Sequence, residues 1–253
     1  IDTVPNRSDQ SLQLSSHLSA AQYAEVFHSA GRVQIPKILS ELSAKTISDC
    51  LSSLDNWNLV FNVDGTHVDT DASDVENWSD DDHRKLRSVI YSQAESDFQY
   101  LYEAVPVYDI YHKDLMPGHF LNRIIQFLNG DAFLELMRTV TGDSSIAYAD
   151  AQATRFRRGH FLTRHDDNVE GKNRRAAFVL SLTHGWSADW GGALQFFDSN
   201  GNIQQGYMPT FNTLNLFSVP IPHAVEFVTP FSKGARYSIT GWLRSGRDPM
   251  RSD

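Results

Sequence analysis

From about residue 145 to its end the chain is cut into short runs of apolar, β-branched and aromatic residues. The runs cover 151–157, 160–164, 175–183, 193–197, 213–219, 224–228 and 235–243. Turn-forming residues separate them: Gly159, Glu170-Gly171, Gly191-Gly192, Ser199-Asn200-Gly201, Pro220 and Pro222. Runs this short cannot be core helices, and turns at this spacing do not suit a βαβ alternation. Seven or eight strands in about 95 residues predict a sandwich or barrel. The fold class expected is therefore mainly β with supporting helices.

Ahead of residue 145 the period changes to that of helices. Apolar residues at helical spacing predict a helix over 18–30, carried by Tyr23, Val26 and Phe27, with Gly31 as its stop. A short strand is expected over 32–38. A helix capped by Ser40 follows to about residue 54, with Leu42, Ile47, Leu51 and Leu54 as its apolar stripe. Residues 57–63 read as a strand, 81–104 as one long helix, and 118–129 and 131–141 as two more. The first fifteen or so residues are polar and expected to fray. We read 1–253 as one domain, with 1–145 an N-terminal helical layer and candidate lid, and 146–246 the β core.

Charge is unevenly placed. Residues 1–150 carry 10 basic and 23 acidic side chains, and residues 151–253 carry 12 and 8. Between Thr46 and His83 there are ten acids and no Lys or Arg. Extended contact with nucleic acid through that segment is excluded, because phosphate affinity needs clustered cations. Segment 64–82 reads as a solvated loop, or as one that meets a basic partner. Asp69, Asp71 and Ser73 alternate like a calcium loop, but Asp74 and Asp80 stand where that loop needs Gly and Glu. No run is apolar and long enough to cross a bilayer, and no signal peptide is visible, so a cytoplasmic location is the expectation. With Cys50 as the lone cysteine there is no internal disulfide and no thiolate-rich metal site; Cys50 itself reads as inert core. Any metal falls to His and carboxylate.

One set of residues fits that requirement. His165 and Asp167 form a His-x-Asp triplet, and on an extended backbone i and i+2 share a face. His223 stands at the start of a later strand. Two imidazoles and a carboxylate on one face of an ion leave positions open for other ligands, the arrangement that suits non-haem Fe(II). Arg236 and Ser238 share a face of the last strand, where a guanidinium and a hydroxyl can grip a carboxylate. Trp190, Gly191 and Gly192 read as structural and Trp242 as a core anchor, while Arg155, Arg157 and Arg158 are assigned no ligand.

Residues 151–244 resemble the Fe(II)/2-oxoglutarate-dependent dioxygenases of the prolyl hydroxylase superfamily, above all the catalytic domain of ribosomal-protein prolyl hydroxylases. The segments that carry the likeness are RHDDNVEGKNRRAAFVLSL (164–182), WGGALQFFD (190–198), VPIPHAVEFV (219–228) and GARYSITGWLRSG (234–246). The resemblance implies a double-stranded β-helix, a jelly-roll or cupin-like barrel. It implies Fe(II) held by His165, Asp167 and His223, which are the catalytic residues, and 2-oxoglutarate held by Arg236 and Ser238 with Leu162 as a pocket wall. It further implies O2 as cosubstrate, ascorbate as a candidate reductant, and hydroxylation of a prolyl residue in a protein or peptide, with succinate and CO2 as coproducts. A basic substrate would suit the acidic segment; no membrane and no direct nucleic-acid partner are expected. The sequence departs from the family at Phe156 and Ser181, both often Tyr there. Family members with two tandem barrels exist, and this chain has the length for one. Two other functions remain open from sequence: a hydroxylase of a free amino acid or other small metabolite, and a barrel that only binds.

Overall fold

The computed structural model describes residues 11–251. In chain order its elements are α1 (Ala20–Ala30), β1 (Arg32–Pro36), α2 (Glu41–Ser52), β2 (Asn58–Val63), β3 (Thr66–Asp71), α3 (Ala72–Glu76), α4 (Asp80–Ala94), β4 (Tyr100–Val105), α5 (Val107–His112), α6 (Leu121–Leu128) and α7 (Asp131–Thr141). The β-rich part follows: β5 (Ile146–Phe156), β6 (Phe161–His165), β7 (Arg174–Ser181), β8 (Leu194–Phe197), β9 (Ile203–Tyr207), β10 (Thr213–Ser218), β11 (His223–Val225) and β12 (Arg236–Ser245).

All the strands join one antiparallel sheet in the order β1-β10-β7-β12-β5-β4-β6-β11-β8-β9, with the β2–β3 hairpin attached through β4. The sheet curls into a nearly closed barrel, consistent with a double-stranded β-helix. Alternation along the strands sorts the side chains into two environments. On β12, Tyr237, Ile239 and Leu243 pack outward into the main hydrophobic core with Phe133, Met137 and Leu216. Arg236, Ser238, Thr240 and Trp242 lie on the opposite face, which looks into the barrel. Helices α6 and α7 cover the outer face through Leu121, Ile124, Ile125, Phe133, Met137 and Val140, all at most 1% exposed. The main strands pass close together at Gly241: a Cβ there would lie 2.0 Å from the Asp150 carbonyl oxygen and 2.8 Å from Phe178 Cζ.

Several local expectations hold. Ser40 caps α2 by accepting from the Ser43 amide, and Gly31 ends α1 in a left-handed conformation. Gly191 is structural as expected: its φ is +67°, and a Cβ would fall 2.2 Å from the Phe227 carbonyl oxygen. Cys50 packs against the main core, and burial pushes its thiol up to about 11.

Others are corrected. The expected helix over 81–104 ends at Ala94, and its last part is β4. There Tyr100, Tyr102 and Ala104 alternate with Leu101, Glu103 and Val105, a two-residue period that sheet pairing on both sides rewards. Leu42 is 55% exposed, so the stripe of α2 runs through Ala44, Ile47 and Leu51 instead. The acidic segment is not a solvated loop. It is the hairpin β2–β3, turning at Asp64-Gly65 with positive φ at both, followed by α3 and the start of α4. Asp71 and Ser79 cap those two helices. The N-terminal layer is not only helical, since β1 extends the sheet beyond β10 and β4 fills the gap beside β5 and β6. Strand β9, unforeseen, pairs with β8 across the Ser199–Gly201 turn. Of the residues expected to fray, Leu14 forms a bridge to Leu39, and 1–10 lie outside the described residues. Among the described residues no helix is long and apolar enough to cross a membrane.

Candidate metal centre and cosubstrate pocket

The barrel interior holds a cavity of about 580 Å³, open at one end. Near its mouth, β6 ends and β11 begins side by side, with His165 and His223 directly opposite each other. The chain leaves β6 and turns back at Asp167, whose φ is +62°. That left-handed turn brings the carboxylate to both rings. Oδ1 lies 3.4 Å from His165 Nε2 and Oδ2 lies 3.3 Å from His223 Nε2. Strand alternation was the wrong reason for the convergence; Asp167 lies beyond the strand, and a turn does the work.

One donor atom from each of the three residues lies within 4.8 Å of the others, and this is the one such group among the described residues. Each imidazole has its Nδ1 at a backbone carbonyl, Thr163 O at 3.0 Å for His165 and Ile221 O at 2.8 Å for His223. Donation from Nδ1–H to those carbonyls directs each Nε2 at the carboxylate; its proton bonds to Asp167 until it is given up when Nε2 serves as a metal ligand. Burial alone would raise the Asp167 carboxyl, but the hydrogen bonds and charge of the two histidines outweigh it and hold the group well below the usual carboxylate range. The donor set therefore fits a divalent ion with open positions. Arg174 steadies the turn, with Nη1 donating to the Asp167 carbonyl at 3.1 Å.

The other end of the wall holds buried polar groups that lack partners. Arg236 is 2% exposed, and its Nε has no acceptor. Burial pulls its guanidinium down from 12.5 to about 10. Ser238 Oγ is also buried without a partner, and so is Ser181 Oγ on β7, in direct register with Ser238. Three unsatisfied polar groups on two neighbouring strands are costly unless something completes them. A carboxylate would, and Ser181 adds a hydroxyl on the strand facing Ser238, at a position where the family often has Tyr. Leu162 lines the cavity on β6, opposite Val225.

Sequence reasoning missed the rest of the wall. Phe98, Tyr100 and Tyr102 come from the stretch expected to be helix. Tyr102 stacks on Phe156 with centroids 5.0 Å apart and planes 7° apart. Trp242 is not a core anchor; it faces the cavity, with the Arg174 guanidinium 3.6 Å from its ring centroid. The signal was present in Tyr100-x-Tyr102, an aromatic pair at strand spacing. Arg155 and Arg157 serve structure: both bind the fully buried Glu103 on the outer face of β4.

Residues 151–244 match the model of the 2OG-Fe(II) oxygenase superfamily. This stretch is a 2OG-Fe(II) oxygenase domain. Family membership implies Fe(II) and 2-oxoglutarate, in accord with the His165–Asp167–His223 cluster. Two curated relatives are named prolyl 3-hydroxylase OGFOD1. The mouse protein is 37% identical over 86 residues, 31% of this chain and 15% of its own length. The Xenopus laevis protein is 33% identical over 125 residues, 47% of this chain and 22% of its own length. The matched regions thus span less than a quarter of those relatives. Among solved structures, a prolyl hydroxylase from Trichoplax adhaerens, in complex with a hypoxia inducible factor oxygen degradation domain peptide, aligns with a TM-score of 0.58 at 16% identity, covering 89% of each chain. A Pseudomonas putida prolyl-4-hydroxylase aligns at 0.53 and 17%, covering 90% of this chain and 100% of its own. At such identities these two establish that the oxygenase domain shares their fold.

Proposed function

We propose that this chain hydroxylates a prolyl residue in a protein or peptide, using Fe(II), 2-oxoglutarate and O2. One observation carries the reading: a two-His, one-carboxylate cluster and the unpartnered Arg236 line the same cavity, with the unpartnered hydroxyls of Ser238 and Ser181 on the strands beside it. When bound, the iron and 2-oxoglutarate supply the oxidation, one oxygen atom going to the product and the other to succinate, with release of CO2.

The protein's own residues position and shield. His165 and His223 would present Nε2 to the ion, and Asp167 adds the negative charge. Arg236, Ser238 and Ser181 hold the far carboxylate of 2-oxoglutarate. Phe156, Leu162, Phe217 and Val225 keep the interior dry, which strengthens each of those contacts.

The mouth supports a peptide substrate. Phe98 and Val169 are 44% and 46% exposed at the cavity rim. Trp242 offers a flat ring on which a pyrrolidine packs, and Arg174 Nε, buried without an acceptor, can donate to a peptide carbonyl. The acidic hairpin reaches the same mouth, because His67 of β3 lines the cavity and bonds to Tyr100 at 2.6 Å. Asp69 and Asp71 share His67's side of β3, and they favour a substrate with Lys or Arg near the proline. The relatives' name makes carbon 3 of the ring the position to examine first.

The test is turnover of 2-oxoglutarate by the full chain with Fe(II), ascorbate and proline peptides flanked by basic or by acidic residues. Peptide-dependent succinate and a gain of one oxygen atom on proline are expected, faster with basic flanks. Ala at His165, Asp167 or His223 should abolish both. Turnover that survives those substitutions would remove the cluster from the reaction, and hydroxylation of free amino acids but no peptide would overturn the substrate class.

A further inference from the structure

Tyr102 lies outside the matched domain, yet its phenol is inside the cavity. Its row in the sheet explains how. Arg236 of β12 is in register with Phe156 of β5, and the pairing of Glu103 with Arg155 sets Tyr102 of β4 next in line. The Arg236 guanidinium is 5.1 Å from the Phe156 ring centroid, and the Tyr102 ring stacks on the same Phe156. The phenylalanine therefore separates a cation at the far end of the wall from a phenol nearer the metal cluster.

The hydrogen bonding of that phenol is half complete. Gln152 Nε2 donates to Tyr102 Oη at 3.3 Å. No described residue accepts the proton of Tyr102 itself. Burial, and the negative charge of Asp167 close by, push the phenol up, so it stays a neutral donor at working pH. A hydroxyl that lines a cavity, with its oxygen already engaged and its proton accepted by no described residue, can give that proton to a ligand oxygen.

We propose that Tyr102 Oη–H donates to the keto-acid end of 2-oxoglutarate, with Gln152 orienting it, while Arg236 serves the opposite carboxylate. This rests on the reading of the cavity as a 2-oxoglutarate site. Position 156 carries no hydroxyl, and the phenol stacked on it comes from a strand outside the matched domain, while the neighbouring Tyr100 hydroxyl is engaged with His67.

Calorimetry on the Mn(II)-loaded full chain separates the two ends, with 2-oxoglutarate as one probe and succinate, which lacks the keto-acid group, as the other. Tyr102→Phe keeps the stack on Phe156, and its melting temperature serves as the folding control. It should weaken 2-oxoglutarate about ten- to a hundredfold, the effect of losing one hydrogen bond to a charged oxygen, and leave succinate within about twofold. Arg236→Gln should weaken both. In turnover, Tyr102→Phe should raise the KM for 2-oxoglutarate with little change in kcat. If Tyr102→Phe binds 2-oxoglutarate as wild type does while Arg236→Gln does not, the assignment of Tyr102 falls and the pocket stands. Equal weakening of both probes would also overturn it. If wild-type protein shows no metal-dependent binding of 2-oxoglutarate, the pocket reading falls and Tyr102 with it.

Discussion

Arg236→Met should make the ligand-free protein more stable and the loaded protein less so. The guanidinium is 2% exposed, and no described residue gives it a hydrogen bond or a carboxylate. Burial lowers it from 12.5 to about 10. At about 1.4 kcal/mol per unit, charge at this position costs the fold about 3 kcal/mol. Arginine is protonated in both folded and unfolded chains at every pH below about 10, so the cost is constant across the working range. The Phe156 ring, 5.1 Å away, returns about 1 kcal/mol. Methionine keeps much of the stem but fills less space, which removes a fraction of a kcal/mol more. The net expectation is a gain of about 1–2 kcal/mol, or about 2–8 °C in melting temperature for a chain of this size. Urea unfolding at pH 7 of protein dialysed free of small anions measures it. With Mn(II) and 2-oxoglutarate at a hundred times its Kd, wild type should gain about 2.7 kcal/mol and the variant nothing, so the two exchange order. A variant that is less stable than wild type without ligand, or that keeps the wild-type gain with it, would refute the reasoning.

Glu103→Ala should cost about 3 kcal/mol in urea unfolding, because it strands Arg155 and Arg157 beside a buried position; a change below 1 kcal/mol would show the clamp to be dispensable. Gly241→Ala should cost 3 kcal/mol or more, or prevent folding, since its Cβ would fall 2.0 Å from the Asp150 carbonyl oxygen. His160 is held neutral: burial, then the charge of Arg157, lowers it from 6.5 to about 3. The unfolded chain takes up this proton first, so the stability it contributes is whole above about pH 6.5 and drains away towards pH 3. About 2 kcal/mol should be gone by pH 5, and His160→Asn, melted from pH 8 to pH 5, should show a flatter profile than wild type.

The convergence of His165, Asp167 and His223, and the shared face of Arg236 and Ser238, were legible in the sequence because each rests on short spacings in or beside strands whose turns announce themselves. His165, Asp167 and His223 meet as expected, although Asp167 arrives by a left-handed turn that no periodicity encodes. The rest of the pocket wall was hidden for a different reason. Tyr100 and Tyr102 follow a true helix, α4, after a short gap, and local pattern could not show that β2, β5 and β6 wait on either side of them. Trp242 looked like core because large apolar residues usually are; only the register of β12 puts it on the cavity face. Arg155 and Arg157 had no visible partner because Glu103, which both bind, was assigned to a helix.

The place of β1 at the far edge of the sheet sets an order of events during synthesis. Arg32 emerges early but must wait for Phe217, its partner on β10, and β4 must wait for β5 and β6. Until then β1 and the far side of β4 stand as open strand edges, while β2 already has β3 and β4 to pair with. The oxygenase pocket is thus among the last things the chain can make, and a nascent chain stalled before β10 would expose sticky edges to its neighbours. The same dependence means that residues 151–244, although they contain the whole metal cluster, would be a poor excerpt: cut free, they lose Tyr102 and leave β10 and β5 with unmated sides.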